Sequence, residues 1–249
     1  YGDERPLAMQ GKLIRVDIDP EQLVRNHKPW LAILSDAGKA LAAISAQLPE
    51  SAGREGRTRV QQVRKELQQY QKHRLFLQKL RKVLPDDSIV AGDSTQPVYA
   101  ANSFFPVDKP RCWITSVTGY GTLGYALPAA IGAKLALPDR PVLAIVGDGG
   151  FLFTISELIV AVELDLSIPI VLWNNQGYGE IRNYMLEKQI PLVGVDLDTP
   201  DFIAIAKGFG CVAHRAISMN QFQQLISDAL SHPGPSIIEI VEDSKFLNE

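Results

Sequence analysis

From residue 85 onward, short apolar runs alternate with amphipathic stretches. Residues 88–91, 113–117, 142–146, 169–173 and 236–241 are rich in Val, Ile, Leu and Ala, and a briefer run covers 211–213. Apolar runs of that length predict strands buried on both faces. The stretches between them, at 96–103, 123–136, 153–164, 178–187, 200–208 and 219–230, predict helices. Strands separated by helices make a parallel sheet covered on both sides, so the expected fold class is α/β with a doubly wound parallel sheet.

The N-terminal part reads differently. Residues 12–18 alternate like a strand, and a short helix follows with Asp19 as cap and Pro20 at its first position. Residues 35–48 predict a second helix, capped by Ser35 or Asp36. The segment 49–57 (PESAGREGR) combines Pro, Gly and charge and is the best linker candidate. Beyond it, Val60, Val63, Leu67, Tyr70, Leu77 and Leu84 fall on one helix face, giving one long helix or two in series, stopped by Pro85-Asp86-Asp87. The expected organisation is therefore 1–48, a connecting segment and helix at 49–84, and the doubly wound domain at 85–249.

Composition narrows this picture slightly. A chain of 249 residues that is 46% hydrophobic can bury one large core or two small ones. The net charge of −3 does not point to nucleic acid. Residues 54–82 hold ten Lys and Arg against two acids, which leaves −11 on the rest. A solvated helix face or linker is the commoner meaning of such a run, so no nucleic-acid partner is expected. Cys112 and Cys211 have neither metal nor redox spacing and are read as small buried apolar residues in a reducing compartment, with a cytoplasmic location expected. There is no apolar run of about 18 residues, so no membrane span is expected. The chain opens on YGDERPLAMQ without an initiator Met and reads as the interior of something longer. Its start is expected to be a product of processing or proteolysis, or an expression boundary.

Chemistry collects where the predicted strands end. The carboxyl ends carry GDSTQP (92–97), TGYGTLG (118–124), GDGG (147–150) and NNQGYG (174–179). Ligands of open parallel sheets bind beyond this edge. Gly119, Gly121 and Gly124 match the G-x-G-x-x-G dinucleotide fingerprint between a strand and a helix. That fingerprint also wants an acid closing the next strand, whereas Asp139 lies in the turn before it. The other reading is a metal–diphosphate site. A hard divalent cation takes carboxylate, amide and carbonyl oxygens. Asp148 and the pair Asn174-Asn175 offer these on adjacent strands about 4.8 Å apart. Glycines let phosphate oxygens approach the backbone, and free N–H groups where the helix at 153 starts favour anions. Taken singly, Asp148 reads equally well as a helix-capping carboxylate and the Asn pair as turn formers. Their separation of 27 positions, with one helix and one strand between, favours a shared ion.

GDG, 24 residues, then NN resembles the signature of thiamine-diphosphate enzymes. With PVYAA, GYGTLGYALPAAIGAKLA and PGPSIIEI, the chain resembles the acetolactate synthase and benzoylformate decarboxylase superfamily over about 85–242. GKLIRVDIDPEQL and the helix after it resemble the end of that family's central domain, so 1–48 would be a C-terminal remnant of that domain and 85–249 the pyrophosphate-binding domain. The resemblance implies Mg²⁺ held by Asp148, Asn175 and the Gly177 carbonyl. It implies a diphosphate lined by Gly147, Gly149, Gly150, Tyr178 and Gly179, with Ser94, Thr95 and Gln96 in the first phosphate loop. The Gly121 carbonyl would accept from the pyrimidine amine. Leu123 would prop the cofactor into its bent form, although by itself it reads as a buried residue opening a helix.

The implied reaction takes a 2-oxo acid such as pyruvate, releases CO₂ as the cationic thiazolium ring accepts electrons, and yields an aldehyde or, with a second carbonyl, a 2-hydroxy ketone. The glutamate that the family uses to activate the pyrimidine comes from an N-terminal domain, usually of a neighbouring subunit. No residue here matches it, and no catalytic acid or base is assigned. The chain is thus expected to be the C-terminal part of a longer protein, inactive alone and working as a homodimer or homotetramer. Acetolactate synthases tend to carry Trp where this chain has Tyr184, and YGEIR is closer to the benzoylformate decarboxylase pattern. Three readings stand: an acetolactate synthase-like decarboxylase or carboligase, a benzoylformate-type decarboxylase, and a cofactor-binding but catalytically silent module. Arg182 is read either as a binder of a substrate carboxylate or as a solvated helix arginine.

Overall fold

The computed structural model describes residues 11–49, 56–66 and 71–248. Most of the 49–57 linker candidate, and Leu67 and Tyr70 of the helical stripe, lie outside the described residues. The chain divides into two units, 1–63 and 64–249.

In the first unit, β1 (Ile14–Asp17) pairs in parallel with β2 (Leu31–Leu34), Ile14 opposite Leu31. Between them, α1 (Pro20–Val24) starts as expected: Asp19 accepts a hydrogen bond from the Glu21 N–H and proline opens the helix. Asp36 rather than Ser35 caps α2 (Ala37–Ser45), accepting from the Lys39 N–H at 2.9 Å. The strand β2 was not expected. LAIL is four apolar residues with no alternation, too short for periodicity to assign.

The second unit is built on six parallel strands: β3 (Ile89–Gly92), β4 (Trp113–Thr115), β5 (Val142–Gly147), β6 (Ile168–Asn174), β7 (Val212–Arg215) and β8 (Pro235–Val241). Their spatial order is β4-β3-β5-β6-β8-β7. The chain leaves β3 toward one edge and then returns beside it as β5, so direction reverses at the β3–β5 boundary. Alternation along the strands separates two cores. Val142, Ala144 and Val146 of β5 face one layer with Leu127, Leu158 and Phe202, while Leu143 and Ile145 face the other with Phe76, Val98 and Phe222. The first layer holds α6 (Ala126–Ala136), α8 (Leu158–Glu163) and α10 (Phe202–Gly208). The second holds α4 (Gln71–Val83), α5 (Gln96–Phe104) and α11 (Met219–Ser231).

Of the helix expected over 58–84, the described residues hold α3 (Gly56–Glu66) and α4, and residues 67–70 lie outside the described residues. Phe76, Leu77 and Leu80 of α4 are at most 1% exposed, so this helix, expected in the connecting segment, belongs to the core of the second unit. Two starts also differ from expectation. The helix expected from 123 begins at Ala126, because Gly124 takes a left-handed φ of 78°; the Ala126 N–H then donates to the Asp93 carboxylate 33 residues earlier. The helix expected over 153–164 begins instead at Asp148, as α7 (Asp148–Phe151), and breaks before α8. The Phe153 and Thr154 N–H groups bond to the Gly150 and Phe151 carbonyls, three residues back, and the Thr154 hydroxyl donates to the Gly124 carbonyl at 3.0 Å. Among the described residues no helix is long and apolar enough to cross a membrane.

Candidate functional site

The four glycine-bearing loops lie along the carboxyl edge of the sheet, as parallel pairing requires. Gly147 closes β5, in register with Trp173 next to the end of β6. It is the extended residue before α7, which makes Asp148 the first helical residue rather than the cap. Asp148 is 1% exposed, and its Oδ2 accepts from the Gly177 N–H at 2.9 Å. Burial pushes its carboxyl above the usual carboxylate value; the N–H groups of Gly177, Gly149 and Asn175 act in the opposite direction. The Phe153 amide expected to be free donates instead to the Gly150 carbonyl, and the helix start on this edge is at Asp148.

The turn after β6 completes the cluster. One arm of the Asn175 amide lies 3.1 Å from Asp148 Oδ1 and 2.8 Å from the Gly177 carbonyl oxygen. With nitrogen in that arm, it donates to both. With oxygen in it, three oxygens face one another with no donor among them, which is a ligand set for a hard cation. Both conformations need the turn to hold still. Gln176 takes φ of 59° and Gly177 of 150°. The Tyr178 N–H donates to the Val195 carbonyl and the Leu197 N–H to the Gln176 carbonyl, pinning the turn to a segment that sequence reasoning did not single out.

The expected diphosphate residues gather around the same point. A Cβ on Gly149 would come 2.8 Å from the Tyr178 ring, one on Gly147 3.0 Å from Thr95 Oγ1, one on Gly150 3.5 Å from Leu123, and one on Gly179 2.2 Å from the Asn175 amide nitrogen. Ser94 Oγ is buried with no hydrogen-bond partner, an orphan polar atom in the first loop. Gln96 is already engaged: its amide nitrogen reaches the Glu242 carboxylate at 2.8 Å and its oxygen accepts from Asn183 at 3.2 Å. Gly121 lies in the adjoining loop, where its N–H donates to the Ser116 carbonyl and the Ser116 hydroxyl to the Thr122 carbonyl.

Two residues, Asp93 and Glu239, were missed from sequence, and a third has a further contact. Asp93, 1% exposed, accepts from the Ser94 and Ala126 N–H groups and so ties the first loop to α6. Burial raises its carboxyl too. Glu239, 1% exposed, sits in the apolar run of β8; a charge inside a buried strand was a visible signal. Arg182 has a structural task beside its two readings. It donates to the Asn175 carbonyl at 3.3 Å and pairs with Asp196 at 3.2 Å, bracing the turn from outside.

Residues 93–240, which contain all four loops except Gly92, match the family described as "Thiamine pyrophosphate enzyme, C-terminal TPP binding domain". The chain belongs to the thiamine pyrophosphate enzymes. Within that family it is 38% identical over 242 residues to a probable 2-ketoarginine decarboxylase of Pseudomonas aeruginosa strain PAO1, across 94% of this chain and 43% of that protein. It is 28% identical to the acetolactate synthase isozyme 1 large subunit of Escherichia coli K12, across 98% of this chain and 45% of that one. The chain thus spans less than half the length of these relatives. The fold matches a thiamine diphosphate-dependent 4-hydroxybenzoylformate decarboxylase of Rhodococcus jostii RHA1 with a TM-score of 0.73 at 24% identity, covering 92% of this chain and 44% of that one. As a thiamine pyrophosphate-enzyme domain, its parallel sheet and loop cluster have the fold class expected of it.

Proposed function

We propose that this chain is the Mg²⁺–thiamine diphosphate-binding portion of an enzyme that decarboxylates a 2-oxo acid. The observation carrying the metal is the meeting of Asp148 Oδ1, the Asn175 amide arm and the Gly177 carbonyl within 3.1 Å. Electrostatics point the same way. Asp93 and Asp148 are buried at this edge without an ion-pair partner among the described residues, so in their ionised form they would repel a diphosphate arriving alone. A divalent cation on Asp148 reverses that sign.

Asp148, Asn175 and Gly177 would hold the cation. Ser94 would donate to a phosphate oxygen with its orphan hydroxyl, and Gly147, Gly149, Gly150, Tyr178 and Gly179 would line the diphosphate. The cofactor would supply the electron sink for loss of CO₂. Leu123, packed toward Gly150, would set its bend. Decarboxylation is favoured over acetolactate synthesis by the 38% identity to the ketoarginine enzyme against 28% to the synthase, and by Tyr184. The pyrimidine end and its activating glutamate would come from a further segment, in a neighbouring subunit of a cytoplasmic homodimer or homotetramer.

Titration of thiamine diphosphate into the full-length protein, with and without Mg²⁺, tests the reading. Binding is expected to require the metal and to vanish in Asp148→Ala. Equal binding by both proteins would contradict the assignment, and cofactor binding without turnover of any 2-oxo acid would favour a silent module.

A further inference from the structure

We infer that Glu239 is the positioning residue of the cation site, acting through Asn174. The inference rests on reading Asp148, Asn175 and Gly177 as the cation's ligands. Asn174 and Asn175 are adjacent, yet the structure gives them different tasks. The Asn174 amide nitrogen donates to Glu239 Oε1 at 2.7 Å, and its oxygen accepts from the Gln176 N–H at 3.1 Å. Its backbone carbonyl accepts from the Glu242 N–H at 2.9 Å. Asn174, 8% exposed, thus spends its side chain on Glu239 and on the turn, whereas the Asn175 amide faces Asp148.

Glu239 decides which way that amide points. A carboxylate only accepts, so the Asn174 nitrogen must face it and the oxygen must face Gln176. That second bond holds the Gln176 N–H in place while Gln176 takes its left-handed φ of 59°. This backbone twist carries Asn175 and the Gly177 carbonyl to the same side, toward Asp148. The far oxygen of Glu239 accepts from Arg215 Nε at 2.8 Å, and the arginine is half exposed. A buried carboxylate on a central strand is costly compared with an apolar residue of similar size. Its placement one strand from Asn174, opposite Leu172 in the register, gives that cost a purpose: orientation of the ligand-bearing turn.

The test uses Mn²⁺ binding to the full-length protein in the presence of thiamine diphosphate, followed by electron paramagnetic resonance, with thermal unfolding measured alongside. Glu239→Leu and Asn174→Ala should each weaken Mn²⁺ binding by about ten- to hundredfold, the usual effect of removing an outer-shell partner. The double variant should be no weaker than the weaker single one, because both remove the same bond. Glu239→Gln leaves one acceptor for two donors, Asn174 and Arg215, and should bind Mn²⁺ with an affinity between those of the parent and Glu239→Leu. Parent-like affinity in Glu239→Leu, despite a lower unfolding temperature, would overturn the inference, as would a loss in Glu239→Gln as large as in Glu239→Leu. Should Glu239→Leu fail to fold, Asn174→Ala decides alone: unchanged affinity there overturns it. Asp148→Ala separates the two levels. Full Mn²⁺ affinity in Asp148→Ala refutes the ligand assignment itself, whereas loss there with parent-like Glu239→Leu refutes only the positioning role.

Discussion

Gly177 and Gly179 look alike in the string NNQGYG, but their neighbours make opposite demands. A Cβ on Gly177 would stand 2.3 Å from the Val195 carbonyl oxygen, at a φ of 150°. That obstacle is backbone and cannot move aside. Gly177→Ala should therefore unfold at a lower temperature, by about 1–3 kcal/mol of strain, and lose the cation as well. A Cβ on Gly179 would meet the Asn175 amide nitrogen at 2.2 Å, the end of a side chain that can swing away. Gly179→Ala should keep most of its stability and lose metal-dependent cofactor binding, because the swing removes a ligand. Thermal unfolding combined with Mn²⁺ titration distinguishes the two; equal behaviour would refute the contrast. The glycines themselves were legible as sites of close approach. Which atom each one makes room for was not, since Val195 and Asn175 approach only through the folded turn. The split between Asn174 and Asn175 has the same origin: side-chain type is identical, and only Glu239, 65 positions away, separates their roles.

The elements were mostly readable because buried parallel strands and amphipathic helices write their periods directly into the chain. Deviations cluster where long-range partners take over. Asp93 caps the first N–H of α6 and Thr154 reaches Gly124 at the break between α7 and α8, and a local window contains neither contact. Helix α11 shows the packing that the apolar spacing anticipated. Phe222 is fully buried, its ring 5.0 Å from Phe76 of α4 and tilted against it. Phe222→Ala should cost about 3–5 kcal/mol in chemical denaturation. A loss below about 1 kcal/mol would mean that α4 and α11 do not share one core.

Over the whole molecule, the buried carboxylates link stability to pH and to ligand. Asp93 is held above the usual carboxylate value of 3.8, first by burial. The folded state then binds that proton more tightly than the unfolded chain does. The stability this group contributes is present below 3.8 and is lost as pH rises from there through the folded value. Relative to the parent, Asp93→Asn should thus gain stability as pH increases over that window, measured by denaturant unfolding at a series of pH values; a parallel pair of profiles would refute it. Ligand should act in the same currency. At about a hundredfold excess over its dissociation constant, Mg²⁺–thiamine diphosphate should raise the unfolding free energy of the full-length protein by about 2.7 kcal/mol, and not in Asp148→Ala. What the chain determines by itself is the layered α/β class and the loops that meet at one sheet edge, because hydrophobic period and glycine spacing are local properties. Only the tertiary structure decides which oxygens converge on Asp148 and what braces them, because Glu239 reaches the turn from the neighbouring strand and Val195 from a folded-back segment, and neither contact is local in the chain.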